Sequence, residues 1–303
     1  ANFGVSTSTY WVRTSVVYPD SYPNVDEVTH WYLEVGDAQM DDAELYISEF
    51  DGVFSIQMSD LREPYDLRPV KHVNSVFPID ISLGESLVFY IKVNKTTSMR
   101  FPLVLWTQQG FVENVANEEF LYGLLYGSMF ILMIYNIFLY VATKDVSYFY
   151  YVNYLLSVSV FMFLELGHGL IHFEEYFGKV HRESIIYFIW FSVISGSLFT
   201  RSFLNTRIEF PKIDAVLVGF IAVAIVSIVI NELHIYHVSV AWTSMFNSIL
   251  MPTFLSMVFY TYIQGNKSAK FFFMAWIFNV VGFFVLAVAT SEFISMTKPP
   301  SAA

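Results

Sequence analysis

The chain contains no cysteine in its 303 residues. Disulfides, thiolate nucleophiles and cysteine metal ligands are therefore excluded, although the redox compartment stays open. Charge is also scarce: 14% of residues are charged, well below the roughly 25% of an ordinary soluble domain. Positive charge is the scarcer sign, with 16 Lys and Arg against 27 Asp and Glu and a net charge of −11. Nucleic acid requires a basic footprint and is excluded as a partner. A negative surface also disfavours tight docking on anionic lipid heads. No signal-peptide pattern stands at the start, so an exported N-terminal domain would have lost its signal or carry it upstream.

What is abundant is apolar surface. Hydrophobic residues make up 55% and mean hydropathy is +0.50, too high for a soluble globule alone. The excess is unevenly placed. Residues 1–117 hold sixteen acidic and seven basic side chains and look water-soluble. From residue 118 to 303 the chain is mostly apolar blocks of membrane length. The expected organisation is an extracytoplasmic domain, 1–117, followed by a transmembrane helical bundle, 118–303.

Residues 1–117 carry strand patterns. In "SLVFYIKV" Leu87, Phe89, Ile91 and Val93 share one face, and Val88, Tyr90 and Lys92 the other. "YWVRTSVV", "VTHWYLEV", "AELYISEF", "SVFPIDIS" and "RFPLVLW" are similar runs, separated by "YPDSYPN", "GDAQMDD" and "EFDG". Six or seven short strands predict an all-β sandwich or jelly roll. Trp11, Arg13, His30, Trp31 and Trp106 are candidate ligand contacts, because aromatic faces beside a guanidinium suit a sugar or another small organic molecule. Core or interdomain packing is the competing reading, since large aromatics dominate cores. No paired catalytic carboxylates, metal-ligand spacing or nucleophile motif is found here. No cofactor is expected and no catalytic residue is assigned.

Six apolar spans follow, at about 119–142, 148–171, 184–204, 213–231, 238–263 and 269–292. Each is long enough to cross a hydrocarbon core of ~30 Å at ~1.5 Å per residue. Short connections imply an up-and-down bundle. Lys144, Arg201, Arg207, Lys212, Lys267 and Lys270 fall on one side, and Lys179, Arg182 and Lys298 on the other. This asymmetry predicts the N-terminus outside. Gly123 and Gly127 form a G-x-x-x-G step that permits close helix contact. Asn136 and Asn153 are expected to hydrogen-bond within the bundle. Glu165, His168 and His172 are spaced to share a face of the second helix near its outer end, with His234 and His237 at the same depth. That cluster could sense pH or bind a metal of unknown identity, or it could be ordinary interfacial polarity. Pro252 is expected to kink the fifth helix.

The run "YGLLYGSMFILMIYNIFLYVATKDVSYFYYVNYLLSVSVFMFLELGHG" resembles the start of the membrane module of bacterial seven-transmembrane receptors with diverse intracellular signalling modules. The paired glycines, "YN.FLY", the short charged turn and "SY.YYV.YLLS" carry the resemblance. "NFGVSTSTYWVR" resembles an early strand of that family's extracellular domain, and "AELYIS" and "PLVLW" fall where its later strands belong. The resemblance implies a jelly-roll sensing domain for a small, carbohydrate-like ligand. It also implies a helical module in the bacterial inner membrane and a cytoplasmic output module or partner, with a homodimer as one open arrangement. Six spans rather than seven, with no output module after Ala303, would make the chain a fragment. The expected function is thus a non-enzymatic transmembrane receptor. A small-solute transporter or channel, and an integral-membrane metal enzyme, are the alternatives.

Overall fold

The computed structural model describes residues 2–5, 9–18, 28–38, 40, 42–48, 54–60, 65–82, 84–94, 98–100, 102–169, 181–232, 236–266, 269–270 and 272–274. Nine strands come first among them. They are β1 (Asn2–Val5), β2 (Tyr10–Val17), β3 (Val28–Val35), β4 (Asp42–Ser48), β5 (Phe54–Asp60), β6 (Ser75–Ser82), β7 (Ser86–Asn94), β8 (Ser98–Arg100) and β9 (Leu103–Thr107). All pairings are antiparallel. One sheet has the order β2-β7-β4-β5, the other β6-β3-β9, and β1 and β8 form a separate pair.

The two sheets bury one face each against the other. Val35, Leu45, Phe77, Phe89, Ile91 and Val93 lie in this core with essentially no exposure. The alternation read in β7 is the observed one, since Leu87, Phe89, Ile91 and Val93 are buried and their neighbours are not. The N-terminal part is therefore an antiparallel β-sandwich. Strand β5 was not anticipated: its Phe54, Ile56 and Met58 point outward and its Ser59 inward.

Five long helices follow, α1 (Gln108–Thr143), α2 (Val146–Glu165), α3 (His181–Phe203), α4 (Pro211–Asn231) and α5 (Tyr236–Ile263), with one short helical turn, Thr206–Glu209, between α3 and α4. All five are long and apolar enough to cross a membrane. Helix α1 follows β9 without a linker. Thr107 is the last residue of the strand and the N-cap of the helix, its hydroxyl accepting from the Gly110 N–H at 3.1 Å. With 36 residues, α1 is about 54 Å long, so it projects beyond the membrane towards the sandwich. At its far end Lys144 takes a left-handed conformation (φ 61°) and its N–H closes on the Tyr140 carbonyl at 2.8 Å. Asp145 then caps α2 by accepting from the Ser147 N–H at 2.9 Å.

Within the bundle α1 packs on α2, α2 on α3 and α3 on α4, while α5 contacts α3 and α4. Trp190, Leu217, Ala224, Phe254 and Val258 form its core. Pro252 sits inside α5 without interrupting it.

One expected span is corrected. The second, 148–171, stops at Glu165, because Gly167 adopts a positive φ of 81° and turns the chain. The proposed shared helical face of Glu165 and His168 does not exist for that reason. Most of the sixth expected span, 269–292, lies outside the described residues.

Candidate functional site

The five residues proposed as ligand contacts do not form one site. Strand parity and sheet membership separate them.

Trp11 and Arg13 lie on the outward face of the four-stranded sheet. The register places Trp11 beside Lys92, Lys92 beside Glu44, and Glu44 beside Met58. One step along, Arg13, Tyr90, Tyr46 and Ile56 form the adjacent row. Four strands at ~4.8 Å spacing make this face about 14 Å wide. Trp11 is 57% exposed, and Phe54, Ile56 and Met58 are exposed with it. The Trp11 and Tyr46 rings meet at 5.2 Å, Phe54 sits edge-on to Tyr90 at 5.8 Å, and the Arg13 guanidinium lies 6.0 Å from the Tyr90 ring centre. At the centre, the Glu44 carboxylate accepts from Lys92 Nζ at 2.6 Å and from the Tyr46 hydroxyl at 2.5 Å. These bonds to Glu44 raise both the Lys92 and the Tyr46 pKa above their ordinary values. The charges are thus held in place, and of the aromatic rings around them Trp11 and Phe54 are exposed while Tyr46 and Tyr90 are half-buried.

His30 is on the opposite sheet. It is exposed, and its Nδ1 meets Asp80 Oδ1 at 2.6 Å. Trp31, its neighbour in sequence, points the other way and packs against the sandwich core, edge-on to Tyr18. Trp106 lies at the junction with the bundle. Its indole N–H donates to Glu34 Oε2 at 2.6 Å, and the Asn74 amide donates to Glu34 Oε1. Glu34 is only 6% exposed, so two donors hold a carboxylate that water scarcely reaches. Interdomain packing, the competing reading for Trp106, fits this placement.

That junction is built from both domains. Phe111 of α1 packs on Tyr32 of β3 at 5.0 Å and on the buried His72 ring at 5.3 Å. Burial lowers the His72 pKa, against the opposing pull of Glu34, Glu118 and Glu119. Arg68 fixes the same loop by donating to the His72 and Val73 carbonyls. On the bundle side Gly167 approaches so closely that a Cβ there would lie 2.9 Å from Ala38 Cβ and 3.3 Å from Val73 Cβ.

His168 follows Gly167 and is 5% exposed, boxed by Tyr122 at 4.8 Å, Tyr126 at 5.7 Å and Phe163 at 5.9 Å. Glu165 is exposed instead. His172 and His234 lie outside the described residues, as does the side chain of His237. Among the described residues no group of three His, Cys, Asp or Glu side chains could hold a metal ion. Asn136 and Asn153 each donate to the carbonyl four residues back in their own helix, Leu132 and Phe149, at 2.8 Å. Among the described residues nothing lies within 4 Å of a Cβ added at Gly123 or Gly127.

Sequence reasoning missed the residues that complete the open face: Glu44, Tyr46, Phe54, Ile56, Met58 and Tyr90. The signal for three of them was an inverted strand, apolar outward and polar inward, in "FSIQMSD".

Two family models match the chain. Residues 118–299 match "7TM diverse intracellular signalling", and residues 1–107 match "7TMR-DISM extracellular 2". No curated protein matches.

Proposed function

Since the chain belongs to the family of 7TM receptors with diverse intracellular signalling, we propose that its sandwich senses a small ligand on the outward face of the four-stranded sheet. The observation that carries this reading is the group of outward rings in two adjacent rows, exposed Trp11 and half-buried Tyr46 and Tyr90, with Arg13 among them. Stacking surfaces with a fixed cation favour a carbohydrate-like molecule or a small acid with a flat apolar side. Trp11, Phe54, Ile56 and Met58 are exposed together on this face, and a contiguous apolar patch of this kind marks an interaction site.

The extracellular sandwich and the membrane helices make the chain a multi-pass membrane protein of the signalling class. We place it in a bacterial inner membrane, with the sandwich in the periplasm and residues 1–117 as the sensing unit. A cytoplasmic module or partner would receive the signal, and the chain itself would catalyse nothing. The signal has a short route. The open sheet shares its core with β3 and β9, and β9 continues as α1. A change in sheet twist would therefore tilt α1 against α2, biasing two arrangements of the bundle.

The test is binding by the full chain in nanodiscs to a panel of oligosaccharides and small carboxylates, read by calorimetry. A saturable ligand whose affinity falls at least tenfold in both Trp11→Ala and Arg13→Ala supports the assignment. A ligand indifferent to both changes would move the sensing site elsewhere.

A further inference from the structure

The bundle holds a half-open cavity of about 440 Å³ in the half remote from the sandwich. That volume lies within the range of small-molecule sites. Tyr154 of α2, Phe199 and Ser197 of α3, Asn247 and Phe254 of α5, and Phe272 line it. Its walls are ring-rich, and among the described residues no charged side chain faces it. The nearest guanidinium, Arg201, is engaged twice by Asp214, at 2.7 and 3.0 Å.

The polar groups differ in what they have left to offer. Ser192 donates to the Ile189 carbonyl and Thr200 to the Gly196 carbonyl, so each hydroxyl proton is used within α3. Asn247 spends one amide proton on the Thr243 carbonyl at 3.1 Å, which leaves the second. Ser197 has zero exposure, and among the described residues its Oγ has no hydrogen-bond partner. A buried hydroxyl on a cavity wall without a partner is unfavourable unless something else accepts its proton. Gly196 sits beside it, where a Cβ would come within 3.3 Å of the Tyr154 ring, so the wall is already as close to Tyr154 as packing allows.

We propose that this cavity is a second ligand site, for an uncharged lipid-phase molecule whose ring carries a carbonyl oxygen. The aromatic walls hold the ring. The Ser197 hydroxyl donates to the carbonyl, and the second Asn247 amide proton is the other available donor. The absence of facing charge selects a neutral guest. The hydroxyls of Ser192 and Thr200 have spent their protons on backbone carbonyls, so the donors left for the guest's carbonyl are Ser197 and Asn247. The site is separate from the outward sheet face and does not depend on it.

Tetramethyl-1,4-benzoquinone is a suitable probe. It is neutral, carries ring carbonyls and quenches tryptophan, and a chain without cysteine gives it no thiol to add to. Buried Trp190 on α3, ring to ring with Phe246 at 5.1 Å, serves as reporter. The full chain in nanodiscs should show saturable quenching above that of a free tryptophan analogue in the same lipid. Ser197→Ala removes the donor without adding bulk and should weaken binding about five- to tenfold. Val193→Phe, which grows into the cavity, should abolish the saturable phase while the circular dichroism stays native. Quenching that rises linearly with quinone in the wild type overturns the proposal. So does an identical curve in Ser197→Ala, or an unaltered curve in a folded Val193→Phe.

Discussion

Gly167→Ala isolates the contact between the bundle and the sandwich. Two penalties act together. An L-residue at φ 81° is in the left-handed region, which disfavours it by about 1–2 kcal/mol. The new methyl would also lie 2.9 Å from Ala38 Cβ and 3.3 Å from Val73 Cβ, and both atoms are fixed to backbone rather than to rotatable chain ends. The Ala38 loop cannot easily retreat. Its Gly36 N–H is bonded to the Pro102 carbonyl at 2.9 Å, and Gly36 itself is in tight contact with Pro102. Overpacking of this kind disfavours the closed contact by about 1–3 kcal/mol. The junction should therefore open more easily by about 2–5 kcal/mol. Hydrogen exchange by mass spectrometry on the full chain reads this locally, in segments 65–74 and 104–112, where protection should fall at least about thirtyfold. Ala38→Gly in the same chain removes the closer of the two clashes and leaves the backbone strain. The double variant should thus recover the larger part of the steric share and none of the φ share. Unchanged exchange in Gly167→Ala would refute the close approach. Loss of protection with no recovery in the double variant would refute the steric half of the argument.

Two further outcomes follow from the same geometry. His72 has its pKa lowered from 6.5 by burial, so an opened junction takes up a proton that the closed one resists. Closure is then fully stable above about pH 6.5 and weakens as pH falls from there towards the depressed value, and His72→Gln should flatten that dependence in the exchange assay. At the opposite end, Arg201 grips Asp214 through Nε and Nη2, and Thr206 donates to the same carboxylate. A double-mutant cycle of Arg201→Ala with Asp214→Asn, read as thermal stability in detergent, should give a coupling of about 1–3 kcal/mol, and Arg201→Lys should recover only part of it.

The two-part architecture was legible because its signals are local. Period-two alternation in "SLVFYIKV" and membrane-length apolar runs each report a segment's own surroundings. The turn at Lys144 and Asp145 is local in the same way, since its cap chemistry is decided within four residues. Other features hid behind non-local facts. Strand β5 was passed over because its apolar residues face outward, which reverses the usual pattern; that reversal marks the open face. The end of α2 was missed although "LELGHG" carries a stop signal, a glycine just past the last helical residue, whose φ of 81° turns the chain. His30 and Trp31 are neighbours on one strand and so had to point to opposite faces. That parity alone could have divided the candidates. Which sheet each strand joins could not be read, because consecutive strands such as β2 and β3 fall in different sheets.

The sandwich uses its two outer faces differently, and this asymmetry bears on how a signal could travel. On the three-stranded sheet Tyr32, Glu34 and Trp106 are engaged with α1 and the 65–74 loop. On the four-stranded sheet Trp11 meets Tyr46, Arg13 meets Tyr90 and Tyr90 meets Phe54, all on the same outward face. On the proposed reading, a ligand on the open face would act through the core between the sheets. Phe89, Ile91, Phe77 and Val35 fill that core with no exposure, and a close-packed interior transmits displacement rather than absorbing it. The layer next in line contains β3, whose Tyr32 and Glu34 already touch Phe111 and Trp106, and β9, which becomes α1 at Thr107. No flexible linker lies between them in which a shift could be lost. On the same proposed reading, this close packing and the tight glycine contact at Gly167 would make the junction the place where a small movement of the sheet biases the position of the helices.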